Sequence, residues 1–145
     1  MEKCVPNKNS KGLVLLIEDD ADVRKFASLV LELEEYSVLQ AENGEQGLEL
    51  ARRNECELVL LDLRLSGLNG WSVLKELKED PNLSNIPVFV FSASADIVFR
   101  EKAISLGAAD YLLKPLSAAG LRDAVARVTK GNGKLSDGVS LLSGL

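Results

Sequence analysis

The chain contains no histidine, and that absence removes imidazole as a metal ligand, a general base or a phosphate carrier. Any chemistry must therefore run on carboxylates, lysine, hydroxyls or a hard cation bound through oxygen. Cysteine is almost as scarce: Cys4 and Cys56 show no CxxC spacing and no disulfide framework, so both read as plain thiols. Four prolines in 145 residues, with 46% apolar and 27% charged residues, exclude a disordered composition. Positive charge is in deficit, 17 basic against 22 acidic residues for a net charge of -5, which argues against a duplex-phosphate footprint and direct nucleic-acid binding. Long apolar runs are missing too: Leu13 to Ile17 and Leu58 to Leu61 fall far short of the roughly 20 residues that span a bilayer. The lysine-bearing start MEKCVPNKNSKG has no apolar segment behind it and does not read as a secretory signal. One cytoplasmic domain, without membrane contact, is the expectation.

What is present is a repeated pattern. Leu13 to Ile17, Tyr36 to Leu39, Leu58 to Leu61, Val88 to Phe91 and Tyr111 to Leu113 are short apolar runs recurring every 20 to 30 residues or so, the spacing of βαβ units. The first, third and fourth lack polar alternation, as parallel strands covered on both faces require. Between the runs lie amphipathic helical periods. Asp20 to Leu33 carries Val23, Phe26, Ala27, Val30 and Leu33; Asn43 to Arg53 carries Gly47, Leu48 and Ala51; Gly70 to Lys78 carries Val73, Leu74 and Leu77. Asp96 to Leu106 carries Val98, Phe99, Ala103 and Leu106, and Ser117 to Thr129 carries Leu121, Ala124, Val125 and Val128. Asp80-Pro81, Gly107 and Gly131 stand where helices should stop. Five βα units with right-handed crossovers predict an α/β fold with an open, doubly wound parallel sheet, whose ligands bind beyond the carboxyl ends of the strands. Residues 12–130 are the expected domain, residues 1–11 a flexible leader, and the Gly/Ser-rich residues 131–145 a flexible tail or the start of a linker.

The residues just after the strands are polar: Glu18 and Asp19 after the first, Asp62 after the third, Ser92 after the fourth and Lys114 after the fifth. Each alone is ordinary, since acids cap helices, serine ends strands and Lys-Pro marks turns. Together, on one face of such a sheet, they bring three carboxylates, a hydroxyl and an ammonium into one place. Three acids that close repel one another unless a cation lies between them. Magnesium suits, because it takes carboxylate and carbonyl oxygens and keeps positions for water and phosphate. A carboxylate there can attack phosphorus to form an acyl phosphate, and Asp62, projecting from the expected central strand, is the best nucleophile.

These residues resemble the receiver domain of two-component response regulators. The motifs are Ile17-Glu18-Asp19-Asp20 with Arg24 five residues past Asp19, the stretch Leu61-Asp62-Leu63-Arg64-Leu65-Ser66-Gly67-Leu68-Asn69-Gly70, Phe91-Ser92-Ala93, and Asp110-Tyr111-Leu112-Leu113-Lys114-Pro115. The resemblance covers about residues 11 to 130. It implies a flavodoxin-like three-layer sandwich with strand order 2-1-3-4-5. It further implies that Asp62 is the phosphoacceptor, that Asp19 binds magnesium directly and Glu18 through water, and that the backbone carbonyl of Arg64 completes the protein ligands. Asp20 is then the helix cap. By the same likeness Lys114 pairs with the phosphoryl oxygen, the Lys114-Pro115 bond is cis, and Ser92 and Tyr111 form a switch that reshapes the surface of the last two helices and the last strand. The implied partners are a histidine kinase or histidine phosphotransfer protein upstream and a downstream protein or output domain. The chain would be a signalling domain rather than an enzyme, as a monomer or a weak phosphorylation-dependent dimer.

The departures are Ser66 where the family commonly has proline, Leu116 where it commonly has phenylalanine, and Ala124 where DNA-binding dimers of the family usually carry arginine. The Arg64 side chain is either a solvated loop cation or a shield for the acyl phosphate. Two other readings stand beside the switch: a pseudo-receiver that binds partners without being phosphorylated, and a magnesium-dependent phosphohydrolase of the haloacid dehalogenase type. The second needs an aspartate where Arg64 stands.

Overall fold

Parallel strands roofed on both faces need near-continuous apolar runs, and β1 (Leu13–Ile17) is buried throughout, as are β3 (Leu58–Asp62) and β4 (Val88–Ser92), whose last residues alone are polar. The edge strands β2 (Ser37–Ala41) and β5 (Asp110–Leu113) are only partly covered. In the computed structural model, which describes residues 9–65 and 67–130, the five strands form one parallel sheet in the order β2-β1-β3-β4-β5. The helices α1 (Ala21–Leu33), α2 (Gly44–Arg53), α3 (Gly70–Glu79), α4 (Ile97–Ser105) and α5 (Ala118–Lys130) connect and follow the strands. This is the doubly wound (βα)5 sandwich expected above. No described helix is long and apolar enough to cross a membrane.

Strand pleating divides the core in two. Leu15, Ile17, Val59, Leu61, Val88 and Val90 face α2, α3 and α4, where Leu48, Val73, Leu74 and Leu77 complete one cluster. Val14, Leu16, Leu58, Leu60, Phe89 and Phe91 face α1 and α5, where Ala27, Leu31, Leu121 and Val125 complete the other. Each buried leucine, valine or phenylalanine contributes roughly 1.5–3 kcal/mol by leaving water.

The helix starts are built from side-chain oxygens. Asp20 accepts from the backbone N–H groups of Asp22 and Val23, Asn43 from Gln46, Asn69 from Ser72 and Asp96 from Val98. Each such cap is worth about 1 kcal/mol. Asp20 is thereby a helix cap, as its position suggests.

Two helical stripes differ from expectation. In α1 the buried arc is Ala27, Ser28, Val30 and Leu31, while Phe26 is 40% and Leu33 72% exposed. The helix is rotated so that small Ala27 meets the sheet and Leu31 enters the core, which carries Phe26 and Leu33 outward. In α4 only Ala103 is buried among its residues, and Val98 (61%) and Phe99 (42%) stand in solvent with Ile97 and Ile104. The apolar residues of α4 are not gathered on one face, so only Ala103 reaches the core. Trp71 of α3 partners the outer residues: its ring meets Phe99 edge-on at 6.0 Å and carries the Lys102 ammonium 4.4 Å from its centre.

At the chain's start, the Lys11 N–H donates to Glu35 O. The expected flexible segments otherwise lie outside the described residues, as do Cys4 and Ser66.

Candidate functional site

The chain turns back at β1: β2 lies on one side of it and β3 on the other, so the crevice beyond the carboxyl ends of β1 and β3 is the topological switch point. Ile17 pairs with Leu61, Asp62 with Phe91 and Ser92 with Leu113, which brings Glu18, Asp62, Ser92 and Lys114 to neighbouring levels at one rim. The backbone holds them there beyond the ladder proper. Glu18 N–H donates to Ala41 O, Leu63 N–H to Phe91 O and Lys114 N–H to Ser92 O.

Glu18, Asp19 and Asp62 each offer a carboxylate oxygen, and the three atoms lie within 4.8 Å of one another. Glu18 and Asp62 are buried while Asp19 is exposed. Lys114 reaches in from the end of β5, its Nζ 3.1 Å from Glu18 Oε1 and 3.1 Å from Asp62 Oδ2. The contact with Asp62 is a hydrogen bond. That with Glu18 is an ion pair only, so Glu18 Oε1 is a buried carboxylate oxygen with no hydrogen-bond partner. Its other oxygen accepts from the Asp20 N–H at 2.8 Å, and Asp62 Oδ1 accepts from the Arg64 N–H at 2.9 Å.

The electrostatics follow from this crowding. Burial, opposed by the Asp20 N–H and reinforced by the Asp62 charge, pushes the Glu18 carboxyl up to about 7. Burial alone would lower the Lys114 ammonium, but its contacts with Glu18 and Asp62 outweigh that and hold it above the ordinary lysine value. Three carboxylates against one ammonium leave an excess of negative charge, and buried Glu18 Oε1 has no hydrogen bond beside the ammonium it shares with Asp62. The residues present therefore fit a small divalent cation with oxygen ligands.

Ser92 is buried at the end of β4, and its Oγ accepts from the Ser94 N–H at 3.1 Å. Tyr111 is also buried, and its hydroxyl donates to Ser94 O at 2.7 Å. Both residues of the expected switch thus hold the same residue of the β4–α4 loop, one at its N–H and one at its carbonyl. The Lys114-Pro115 bond is cis. The Arg64 side chain is exposed, and its backbone N–H is what contacts Asp62.

Three features of the site were not assigned from the sequence. Ser94 ties Ser92 to Tyr111, and no residue-type signal reveals a backbone acceptor. Arg24 stands out in the sequence only by its spacing from Asp19, whereas in the fold its Nη1 donates to Glu18 O at 2.8 Å. Gly70 starts α3 hard against the end of β3: a Cβ there would lie 2.5 Å from Asp62 O and from Leu63 Cα. The glycine closing the loop after Asp62 was the available clue.

A family profile for the response regulator receiver domain matches residues 14–126. Among curated relatives, the probable transcriptional regulator ycf27 of Porphyridium aerugineum is 33% identical over 126 residues, 84% of this chain and 51% of the relative. The transcriptional regulatory protein YkoG of Bacillus subtilis is 33% identical over 129 residues, 89% of this chain and 56% of the relative. The chain spans about half the length of the curated relatives it matches. Among solved structures, the receiver domain of the Francisella response regulator 1452 superposes with a TM-score of 0.78 at 27% identity, over 83% of this chain and 98% of that one. The chemotaxis response regulator CheY4 of Vibrio cholerae, 21% identical with a TM-score of 0.76 over 80% of this chain and 97% of its own, shares the fold.

Proposed function

The chain belongs to the response regulator receiver domain family, and from that premise we propose that Asp62 takes a phosphoryl group from a phosphohistidine on a histidine kinase or histidine phosphotransfer protein. The convergence of Glu18, Asp19 and Asp62 within 4.8 Å, with Lys114 at 3.1 Å from two of them, carries this reading. Glu18, Asp19 and Asp62 would hold magnesium, with the backbone carbonyl of Arg64 as a further protein ligand. When bound, the ion supplies neutralisation of phosphoryl oxygen charge.

In the transfer an Asp62 carboxylate oxygen forms a bond to phosphorus while the bond from phosphorus to the donor imidazole nitrogen breaks. The electron pair leaves on that nitrogen, which takes its proton from solvent. Lys114 already contacts Asp62 and neutralises charge on the incoming group. The Ser92 hydroxyl accepts from Ser94 and keeps its own proton to donate to a phosphoryl oxygen. A groove of about 530 Å3 opens beside Lys114, its floor of Val23, Phe26, Ala93, Pro115 and Leu116 flanked by Asp20 and Asp22, and gives a largely apolar face of a donor protein a place to lie.

Phosphorylation adds charge and hydrogen-bond acceptors at Asp62. Turning the Ser92 hydroxyl toward them releases the Ser94 N–H, and Tyr111 on the Ser94 carbonyl feels that release. The surface of α4, β5 and α5 is thereby switched, and a downstream protein or output domain reads it. Exposed Ile97, Val98 and Ile104 on α4 suit such a reader.

Incubation of the full chain with magnesium and a small phosphodonor, followed by intact mass measurement, tests the proposal. One phosphate mass is expected on the parent and none on Asp62→Asn. No gain on the parent refutes it and leaves a binding module that is not phosphorylated.

A further inference from the structure

Along an extended strand, successive side chains point to opposite faces. Glu18 and Asp19 directly follow β1, yet an oxygen of each lies within 4.8 Å of the same Asp62 oxygen and of the other. The chain bends at Asp19 as it leaves β1, which lets both side chains reach one place, and main-chain contacts hold the Glu18 peptide on either side. On one side, the Glu18 N–H is tied to Ala41 O of β2. On the other, the Glu18 carbonyl accepts from Arg24 Nη1 at 2.8 Å. Arg24 is itself fixed, half-buried, in the first turn of α1, where its N–H bonds to the carbonyl of the capping residue Asp20.

We propose that Arg24 is a positioning residue for the acidic pair: by holding the Glu18 carbonyl toward α1, its guanidinium leaves the carboxylates of Glu18 and Asp19 facing Asp62. This rests on the reading of the three acids as a magnesium site. A planar guanidinium is suited to the task, since its donors form a rigid fork and hold one direction. Outer residues that orient metal-binding groups typically govern about 10- to 100-fold in metal affinity.

Positioning and plain charge predict opposite signs here. If Arg24 acted only through its charge, removing it would leave the site more negative and tighten magnesium binding. If it orients the acids, removing it weakens binding. Magnesium is titrated calorimetrically into the metal-free full chain, parent and Arg24→Met, with thermal unfolding of each recorded alongside. The expected result is about tenfold weaker binding by Arg24→Met. Arg24→Gln, which keeps a neutral donor, is expected to recover part of the loss, and it stands in for the methionine variant should that one fail to fold. Unchanged or tighter binding by a folded Arg24→Met, or tighter binding by Arg24→Gln where the methionine variant does not fold, overturns the positioning role while leaving the site intact. A parent that binds no magnesium overturns the site itself, a result distinguishable from the first because it appears without any substitution.

Discussion

Replacing Glu18 by glutamine should make the metal-free protein more stable at alkaline pH. Glu18 is fully buried, and its carboxyl is pushed from 4.5 up to about 7. The folded chain therefore binds this proton more tightly than the unfolded chain does. Below about pH 4.5 both states are protonated and the group costs nothing; as pH rises toward 7 the unfolded state ionises freely while the folded state resists, and stability falls. Above 7 the folded state carries the whole penalty, on the order of 3 kcal/mol at 1.36 kcal/mol per unit. Glutamine removes the charge and keeps the shape, so Glu18→Gln should recover up to that amount at pH 8. For a domain of this size that is an upward shift of roughly 10 °C in melting temperature. Thermal unfolding in chelator at pH 8, 6.5 and 5 reads the difference, which should shrink steadily as pH falls. Excess magnesium should reverse the order, because the parent alone retains all three carboxylates. The reasoning would be refuted if Glu18→Gln in chelator were no more stable than the parent at pH 8, or if its advantage were the same at pH 5.

Gly70→Ala should destabilise the fold by about 2 kcal/mol, because the added carbon meets rigid backbone of Asp62 and Leu63 at 2.5 Å; urea denaturation measures it, and a neutral result would place slack where none is seen. Tyr111→Phe removes the hydrogen bond to Ser94 O and should cost about 1 kcal/mol, with faster amide exchange confined to the β4–α4 loop. Exchange unchanged in that loop would contradict its tethering by Tyr111.

The alternation of apolar runs with amphipathic periods made the five βα units readable, since parallel strands roofed on both faces tolerate little else. Element ends were less legible. Tyr36 looks like the first residue of β2, but its N–H bonds back to Leu31 O behind Glu35, which takes a left-handed φ of 73°, so the strand begins at Ser37 and runs through polar Gln40 to Ala41. Helical period marks α1 as amphipathic without revealing which arc is buried, since the packing of small Ala27 against the sheet decides that. In α4 the expected amphipathic stripe is absent: its apolar residues are not gathered on one face, and only Ala103 is covered. The polar residues at the strand ends could be named from the chain order together with topology. The contacts made by Arg24 and Ser94 could not, because each runs through a main-chain atom common to every residue: the Glu18 carbonyl for Arg24, and the N–H and carbonyl of Ser94 itself.

For the switch proposed above, the shallow seat of α4 sets how much work phosphorylation must do. Each of α1, α2 and α3 anchors itself with several buried side chains, whereas α4 contributes Ala103. Sliding such a helix forfeits the burial of one methyl group, under about 1 kcal/mol, together with the partial cover of Phe99 and Ile104 and the contacts of Phe99 and Lys102 with Trp71. A single charge-assisted hydrogen bond, worth about 1.5–3 kcal/mol, is of the same order. In the proposed switch, one bond gained or lost at the rim therefore works against a weakly rooted helix, while the deeply rooted remainder of the domain serves as the fixed frame.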